Sequence, residues 1–412
     1  MTNLQQAIIA DDLTGACDAA VPWALRGWRT WVTWRPTDLG DSSAEGIGIC
    51  TNSRTDDPTI AANAARHAAR SLQQRRVARI LKKIDSTLKG NWVHETLAVL
   101  DELSRSAAVI APAFPTMGRR IVNGKLRLST TASSESPSVL VTLRDQCGLA
   151  ACHVSCHDLR KGATNLADFV ALRCDGTRVF VVDSEVDADL DVVAESVELL
   201  GERVLPVGSA GLAASLARLA NRPAGGTRRS SHQSEMARAV ILPSSSSLPV
   251  VLFVGSTNPQ TDAQVNALGS AESTGEYDMS RVSMAEFGAG LKCGKHLIVR
   301  IGWDKGHLLV MDHVLEACQR EGVAGFVLTG GDTAQLFCDR AAARGIWIEG
   351  EIASGIPWGR ISGGPFDRQL VATKAGGFGE PDALLRMVSF VSGLPHSDTF
   401  ASQFRDPFPS QL

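Results

Sequence analysis

No apolar run in the sequence approaches the roughly 18 to 20 residues that a membrane helix needs; even 250–255 is only strand-length. A charge excess is missing too. Lys and Arg number 41 against 44 Asp and Glu, for a net charge of −3 and a pI near 6.3. Neither nucleic acid nor an anionic membrane is therefore an expected partner, and any anion site must be local. Disulfide-framework spacing is absent: nine cysteines, an odd number, are scattered from Cys17 to Cys338, which fits a reducing compartment. The stretch from Met1 to Ala10 has neither the basic and apolar regions nor the cleavage site of an export signal, so a cytoplasmic protein is expected. No repeat of fixed period occurs. What is present, 412 residues with 44% hydrophobic and 21% charged content, is ordinary globular material too long for one core.

Short apolar stretches at 46–50, 78–84, 107–111, 178–182 and 204–207 alternate with helix-length segments, the pattern of βαβ units. Continuous Val/Ile/Leu runs predict strands buried on both faces, as in parallel sheets covered by helices. Residues 221–249 mix Pro, Gly, Ser and Arg without periodicity, and a second α/β series follows with strands predicted at 250–254, 296–300, 325–328 and 369–372. The expected fold is α/β with two lobes, each with a mainly parallel sheet flanked by helices. The expected boundaries are 1–222, a linker at 223–249, 250–392, and a patternless tail at 393–412.

Ligands of open parallel sheets bind outside the carboxyl ends of the strands. Four predicted ends in the first lobe are polar. They carry Asp11-Asp12-Leu13-Thr14-Gly15, Thr51-Asn52-Ser53-Arg54, Asp85-Ser86-Thr87-Leu88-Lys89, and the run Phe114-Pro115-Thr116-Met117-Gly118-Arg119. Carboxylates, Asn52 and hydroxyls orient hydroxyl groups, while Arg54, Lys89 and Arg119 neutralise a carboxylate or phosphate. The set suits a polyhydroxy acid, with Asp12 and Asp85 as candidates for taking up a hydroxyl proton. Any one of Asp11, Asp12, Ser86 or Thr87 alone reads equally well as a helix N-cap; it is their convergence that suggests a site.

The second lobe has three glycine-rich turns after predicted strands: Gly255-Ser256-Thr257, Gly330-Gly331-Asp332-Thr333, and Lys374-Ala375-Gly376-Gly377. Such turns let backbone N–H groups approach phosphates. Lys374 is placed to touch a phosphate directly, and Asp332 to hold Mg²⁺ or cap the helix that begins at Thr333. The segment 354–359, with Gly355, reads as a further nucleotide-binding loop. A Walker A sequence and a protein-kinase glycine loop are both absent.

In order and spacing, "IADDLTGACDAA", "KKIDSTLKGN", "PAFPTMGRRIVNG", "VVDSEVDADL", "LPVGSAGLAASLA", "VGSTNPQTDAQ", "LTGGDTA", "GIPWG" and "TKAGGFG" resemble the four-carbon acid sugar kinase family, from residue 8 to about 390. The resemblance implies ATP-dependent phosphorylation of the terminal hydroxyl of threonate, erythronate or an oxo-tetronate. It implies ATP and Mg²⁺ as cofactors and a substrate domain before a nucleotide domain; a homodimer is a possible assembly. On the substrate side it points to Asp11, Asp12, Asp85, Ser86, Lys89 and Arg119. On the nucleotide side it points to Ser256, Gly330, Gly331, Asp332, Thr333, Lys374, Gly376 and Gly377. Two positions depart from the family pattern: Lys89 where Arg is common, and Asp332 where Glu is common. Lysine cannot reproduce a bidentate guanidinium fork.

Competing readings are weaker. A nicotinamide-dependent oxidoreductase should carry Gly-x-Gly-x-x-Gly after its first strand, where this chain has Asp-Asp-Leu-Thr-Gly. A non-catalytic sugar-acid sensor would lack nucleotide affinity. Cys152-His153 and Cys156-His157 mimic a metal site, yet the stretch reads as a strand running into a capped helix with no second ligand cluster. Cys17 reads as a small buried side chain. Trp23, Trp28, Trp31 and Trp34 read as packing between helix and strand.

Overall fold

The computed structural model describes residues 5–39, 43–128, 137–220, 248–269, 274–278, 283–302 and 305–393. The expected linker at 223–249 and tail at 393–412 lie outside these residues, apart from Leu248, Pro249 and Gly393. No helix among the described residues is long and apolar enough to cross a membrane.

The first lobe contributes strands β1 (Gln6–Ala10), β2 (Thr30–Thr33), β3 (Gly46–Cys50), β4 (Arg79–Lys83), β5 (Ala107–Ala111), a hairpin of β6 (Arg119–Val122) and β7 (Lys125–Leu128), β8 (Cys152–Val154), β9 (Val179–Val182) and β10 (Val204–Gly208). The second contributes β11 (Val250–Val254), β12 (Thr274–Asp278), β13 (His296–Arg300), β14 (Gly325–Thr329), β15 (Gly345–Ala353), β16 (Ile356–Ser362) and β17 (Leu370–Lys374). Apart from the β6–β7 hairpin, every pairing within the first lobe is parallel, in the order β2-β3-β1-β4-β10-β5-β9-β8. In the second lobe β12-β13-β11-β14-β17 are parallel, and β16 and β15 are added antiparallel.

The continuous apolar runs have the expected cause. Along β11, Val251 and Phe253 join one core while Val250, Leu252 and Val254 join the other, so both faces are covered. Phe253, Phe326 and Phe337 pack as tilted ring pairs at 4.6 to 6.3 Å.

The two lobes do not own separate sheets. Strand β15 pairs antiparallel with β2, in the register Ile346 with Val32, Trp347 with Trp31 and Ile348 with Thr30, which makes one sheet of fifteen strands. Trp31 and Trp347 meet at 4.9 Å across this seam. Segment 354–359, expected as a nucleotide loop, is instead the turn and first residues of the β15–β16 hairpin. Along 347–351 and 358–362 buried residues alternate with more exposed ones, and Gly359 lets Trp347 O approach to 2.1 Å from where a Cβ would stand.

The sheet folds around helix α1 (Leu13–Leu25), in which every residue but Pro22 and Leu25 is buried. It packs against the neighbouring strands β15, β2 and β3. Cys17 is among its buried residues, and all nine cysteines are free thiols. Cys152 lies on β8 and Cys156 opens a short helix capped by Ser155, as expected; His153 Nε2 faces Asp183 Oδ2 at 3.0 Å. Among the described residues no group of three ligating side chains forms a metal site.

The seam tolerates no side chain at Gly345, because an added Cβ would fall 2.2 Å from the Trp31 ring. Gly345→Ala should cost about 1–3 kcal/mol by overpacking. Gly176→Ala, where nothing lies within 4 Å, should stay within about 0.5 kcal/mol. Urea unfolding of both variants checks this, and equal stabilities would contradict it.

Candidate active site

Asp12 is the N-cap of α1 and accepts from Gly15 N at 3.2 Å and from Thr14 Oγ1 at 2.6 Å. Helix N-termini favour this charge, but a carboxylate only 4% exposed needs a cation as well. Arg54 supplies it. Its Nε and Nη2 grip Asp11 at 2.7 and 2.8 Å, Nη2 also donates to Asp12 Oδ1 at 2.7 Å, and Nη1 lies 3.6 Å from Asp85 Oδ2. Burial alone would raise the Asp11 and Asp85 carboxyls; the charge of Arg54, with its bonds to Asp11 and the Thr87 hydroxyl's bond to Asp85, more than reverses this and holds both below the usual range. Gly90, in the left-handed region at φ 85°, lets its loop close on Asp11, where a Cβ would stand 2.9 Å from Oδ2.

A deeper network fixes this loop. Glu95 and Lys82 form a wholly buried pair at 2.7 Å, and Ser53 Oγ donates to Glu95 at 2.7 Å beside Arg54. Asn52, expected at the substrate, is exposed with φ 50° and serves the turn that presents Arg54. Arg119 donates to Ser86 Oγ at 2.5 Å and stacks over Phe378 of the second lobe at 4.5 Å. Lys89 is exposed and joins none of these contacts. The cation that does face the cluster is Lys83, part of the "KKIDSTLKGN" strand end but given no role there. It is 5% exposed, no ion pair or hydrogen bond occupies its ammonium among the described residues, and its Nζ lies 3.0 Å from where a Gly15 Cβ would stand.

In the second lobe Gly255 and Ser256, Gly330, and Gly376 and Gly377 converge at the ends of β11, β14 and β17. A Cβ on Gly376 would fall 2.1 Å from Ser256 Oγ, and one on Gly330 would fall 3.7 Å from Ser256 Cβ. Thr333, in the first turn of the helix Gly331–Arg340, is buried with its hydroxyl unbonded among the described residues. Lys374 does not reach out as expected. Its ammonium is buried and donates to Ala375 O and Gly376 O at 3.1 Å and Phe378 O at 3.2 Å, so it holds the turn from behind. Burial pushes it down to about 8, so it remains charged at neutral pH. Gln264 Nε2 adds bonds to Phe378 O, Gly379 O and Glu380 O.

The two halves meet at Asp12. Its Oδ2 lies 2.6 Å from where a Cβ on Gly331 would stand, so only glycine allows the second lobe's helix to approach. Asp332 is exposed beside this contact, and partial burial, with the charge of Asp12, raises its carboxyl.

Residues 6–216 match the family described as a sugar-binding N-terminal domain, and residues 307–384 match a nucleotide-binding C-terminal domain. The chain is 33% identical over 402 residues to a D-threonate kinase of Bordetella bronchiseptica, covering 92% of this chain and 95% of that one. It is 30% identical over 419 residues to a D-threonate kinase of Cupriavidus necator, with the same coverage of 92% and 95%. A crystal structure of a Haemophilus influenzae protein shares the fold with a TM-score of 0.68 at 24% identity, covering 94% of this chain and 99% of that one. With both halves matched and full-length relatives this similar, the chain belongs to the four-carbon acid sugar kinase family.

Proposed function

We propose that this enzyme transfers the terminal phosphoryl group of ATP to the terminal hydroxyl of a four-carbon sugar acid, with D-threonate the leading acceptor. The observation that carries the reading is the contact of Asp12 with Gly331, which brings a hydroxyl-and-anion-gripping cluster against a glycine-lined cradle. The names of the two D-threonate kinases described above support the choice of acceptor.

Residues 1–222 act as the substrate lobe and 250–392 as the nucleotide lobe. Gly255, Ser256, Gly330, Gly331, Thr333, Gly376 and Gly377 present backbone N–H and hydroxyl groups to the phosphates, with the helix N-terminus at Gly331 adding favourable field. Arg119 and Lys83 hold the acid's carboxylate, in place of the exposed Lys89. Asp12 or Asp85 orients the terminal hydroxyl and accepts its proton as transfer proceeds. Closure around Asp12 excludes water.

Mg²⁺ fits the residues present: Asp332 and Asp12 face each other with like charge, and this ion commonly takes one or two carboxylates with the rest of its ligands from phosphates. When bound it neutralises the phosphate oxygens; Asp332 would hold it.

Three kinds of outcome are expected, in turnover, in KM and in stability. Purified enzyme with ATP and Mg²⁺ should release ADP with D-threonate faster than with other tetronates, and Asp85→Ala should lower kcat by about 10²-fold or more. Turnover within a few-fold of wild type would sink the assignment of Asp85. Lys374→Met should raise the KM for ATP roughly tenfold, through loss of the charge-assisted bonds that shape the turn, and leave the KM for the acid unchanged. The third concerns stability. The depressed carboxyls of Asp11 and Asp85 contribute stability that is present above their unfolded value of about 3.9 and lost as pH falls through the lower folded values. The stability gap between wild type and Arg54→Ala should therefore be widest near neutral pH and narrow toward about pH 3, as read by urea melts across that range.

A further inference from the structure

Beside the cluster, a crevice of about 310 Å³ opens between the lobes. It is walled by α1, by the helix α8 (Ala210–Leu219), by Phe114 and Thr116, and by the β15–β16 turn with Glu351 and Gly355. Asp18 projects into it from α1, between one and two turns beyond Asp12. Asp18 is only 8% exposed, and among the described residues no hydrogen bond or ion pair occupies its carboxyl. Its carboxyl opens on the crevice rather than into the core, so a polar group bound there would find an acceptor or donor with no protein partner to displace.

The charges around Asp18 select the chemistry of that group. Lys83 from β4 and Arg119 from β6 face it with positive charge, Glu351 from β15 and Asp12 with negative charge. Arg26 of α1 and Arg218 of α8 stand at the crevice wall, the latter paired with Asp191. A cationic ligand would meet Lys83 and Arg119, and an anionic one would meet Asp18 and Glu351. A neutral hydroxyl meets neither objection. Burial, more than the neighbouring charges, pushes the Asp18 carboxyl up to about 7, so near neutral pH it can accept a hydroxyl hydrogen or donate its own. Burial also raises Glu351.

We propose that Asp18 is a specificity-determining residue for the acceptor: an internal hydroxyl of the sugar acid points into the crevice and hydrogen-bonds the Asp18 carboxyl, while Arg119 and Lys83 hold the adjacent carboxylate. The proposal rests on the kinase reading and deepens it. The site then senses the presence and handedness of a hydroxyl-bearing carbon remote from the transferred phosphoryl group. Discrimination of this kind is strong, because an acid lacking the hydroxyl leaves a buried polar group unpaired.

The test compares D-threonate with its 2-deoxy and 3-deoxy analogues on wild type and Asp18→Ala, by calorimetric binding and by ADP release. Removing an unpartnered buried carboxyl should leave the melting temperature unchanged or raised. Asp18→Ala should weaken binding of D-threonate and lower its kcat/KM by about tenfold or more, whereas for one deoxy acid the two proteins should agree within about threefold. Ala214→Leu, which narrows the crevice from α8 and keeps Asp18, should reproduce the selective loss should Asp18→Ala fail to fold. Equal losses on all three acids, or no loss on D-threonate, would overturn the proposal. Binding without ADP release in wild type would sink the kinase reading alone, since the binding comparison still decides the role of Asp18.

Discussion

A carboxylate at a buried helix N-terminus can be stable only if something outside the helix neutralises it, and much of this molecule is arranged around that requirement at Asp12. The dipole of α1 and the amide of Gly15 satisfy part of the charge; Arg54 supplies the remainder and is itself shared with Asp11 and Asp85. One guanidinium thus fixes three strand ends relative to one another. Behind it, the Lys82–Glu95 pair is wholly buried and tied through Ser53 to the same loop. Such a pair contributes little net stability, but breaking it would leave an uncompensated charge in the core, so the loop has few alternative positions.

The second lobe solves the complementary problem. The glycine-rich turns at the ends of β11, β14 and β17 approach one another closely and must stay rigid without side chains in the way. Glycine removes the side chains, and the rigidity comes from beneath, where the Lys374 ammonium and the Gln264 amide each bond three carbonyls and share that of Phe378.

Most of this was legible in the sequence, and the exceptions have physical reasons. Strands buried on both faces announce themselves as apolar runs, so β3, β5, β11 and β14 fall where expected. The pair β15–β16 escaped because its glycines and Pro357 look like punctuation, whereas Gly359 is there for close strand approach and the alternation around it is that of a half-exposed hairpin. Strand β2, four residues inside a tryptophan-rich stretch, gave no period long enough to read. The polar strand ends identified Asp11, Asp12, Arg54, Asp85, Ser86 and Arg119 as neighbours, but residue type does not report depth or direction. Lys89 and Lys83 carry the same charge, and only the fold distinguishes the exposed one from the buried one; Lys374 turned inward for the same reason.

The seam between β2 and β15 changes how opening of the cleft should be pictured. Lobes joined only by a tether swing as independent bodies, and their excursions scale with tether length. Here the backbone ladder runs unbroken from one lobe to the other, so parting Asp12 from Gly331 means winding or unwinding a single elastic ribbon about α1. The restoring torque is then stored in the strands themselves, and cleavage of the chain between 220 and 248 would leave that spring intact.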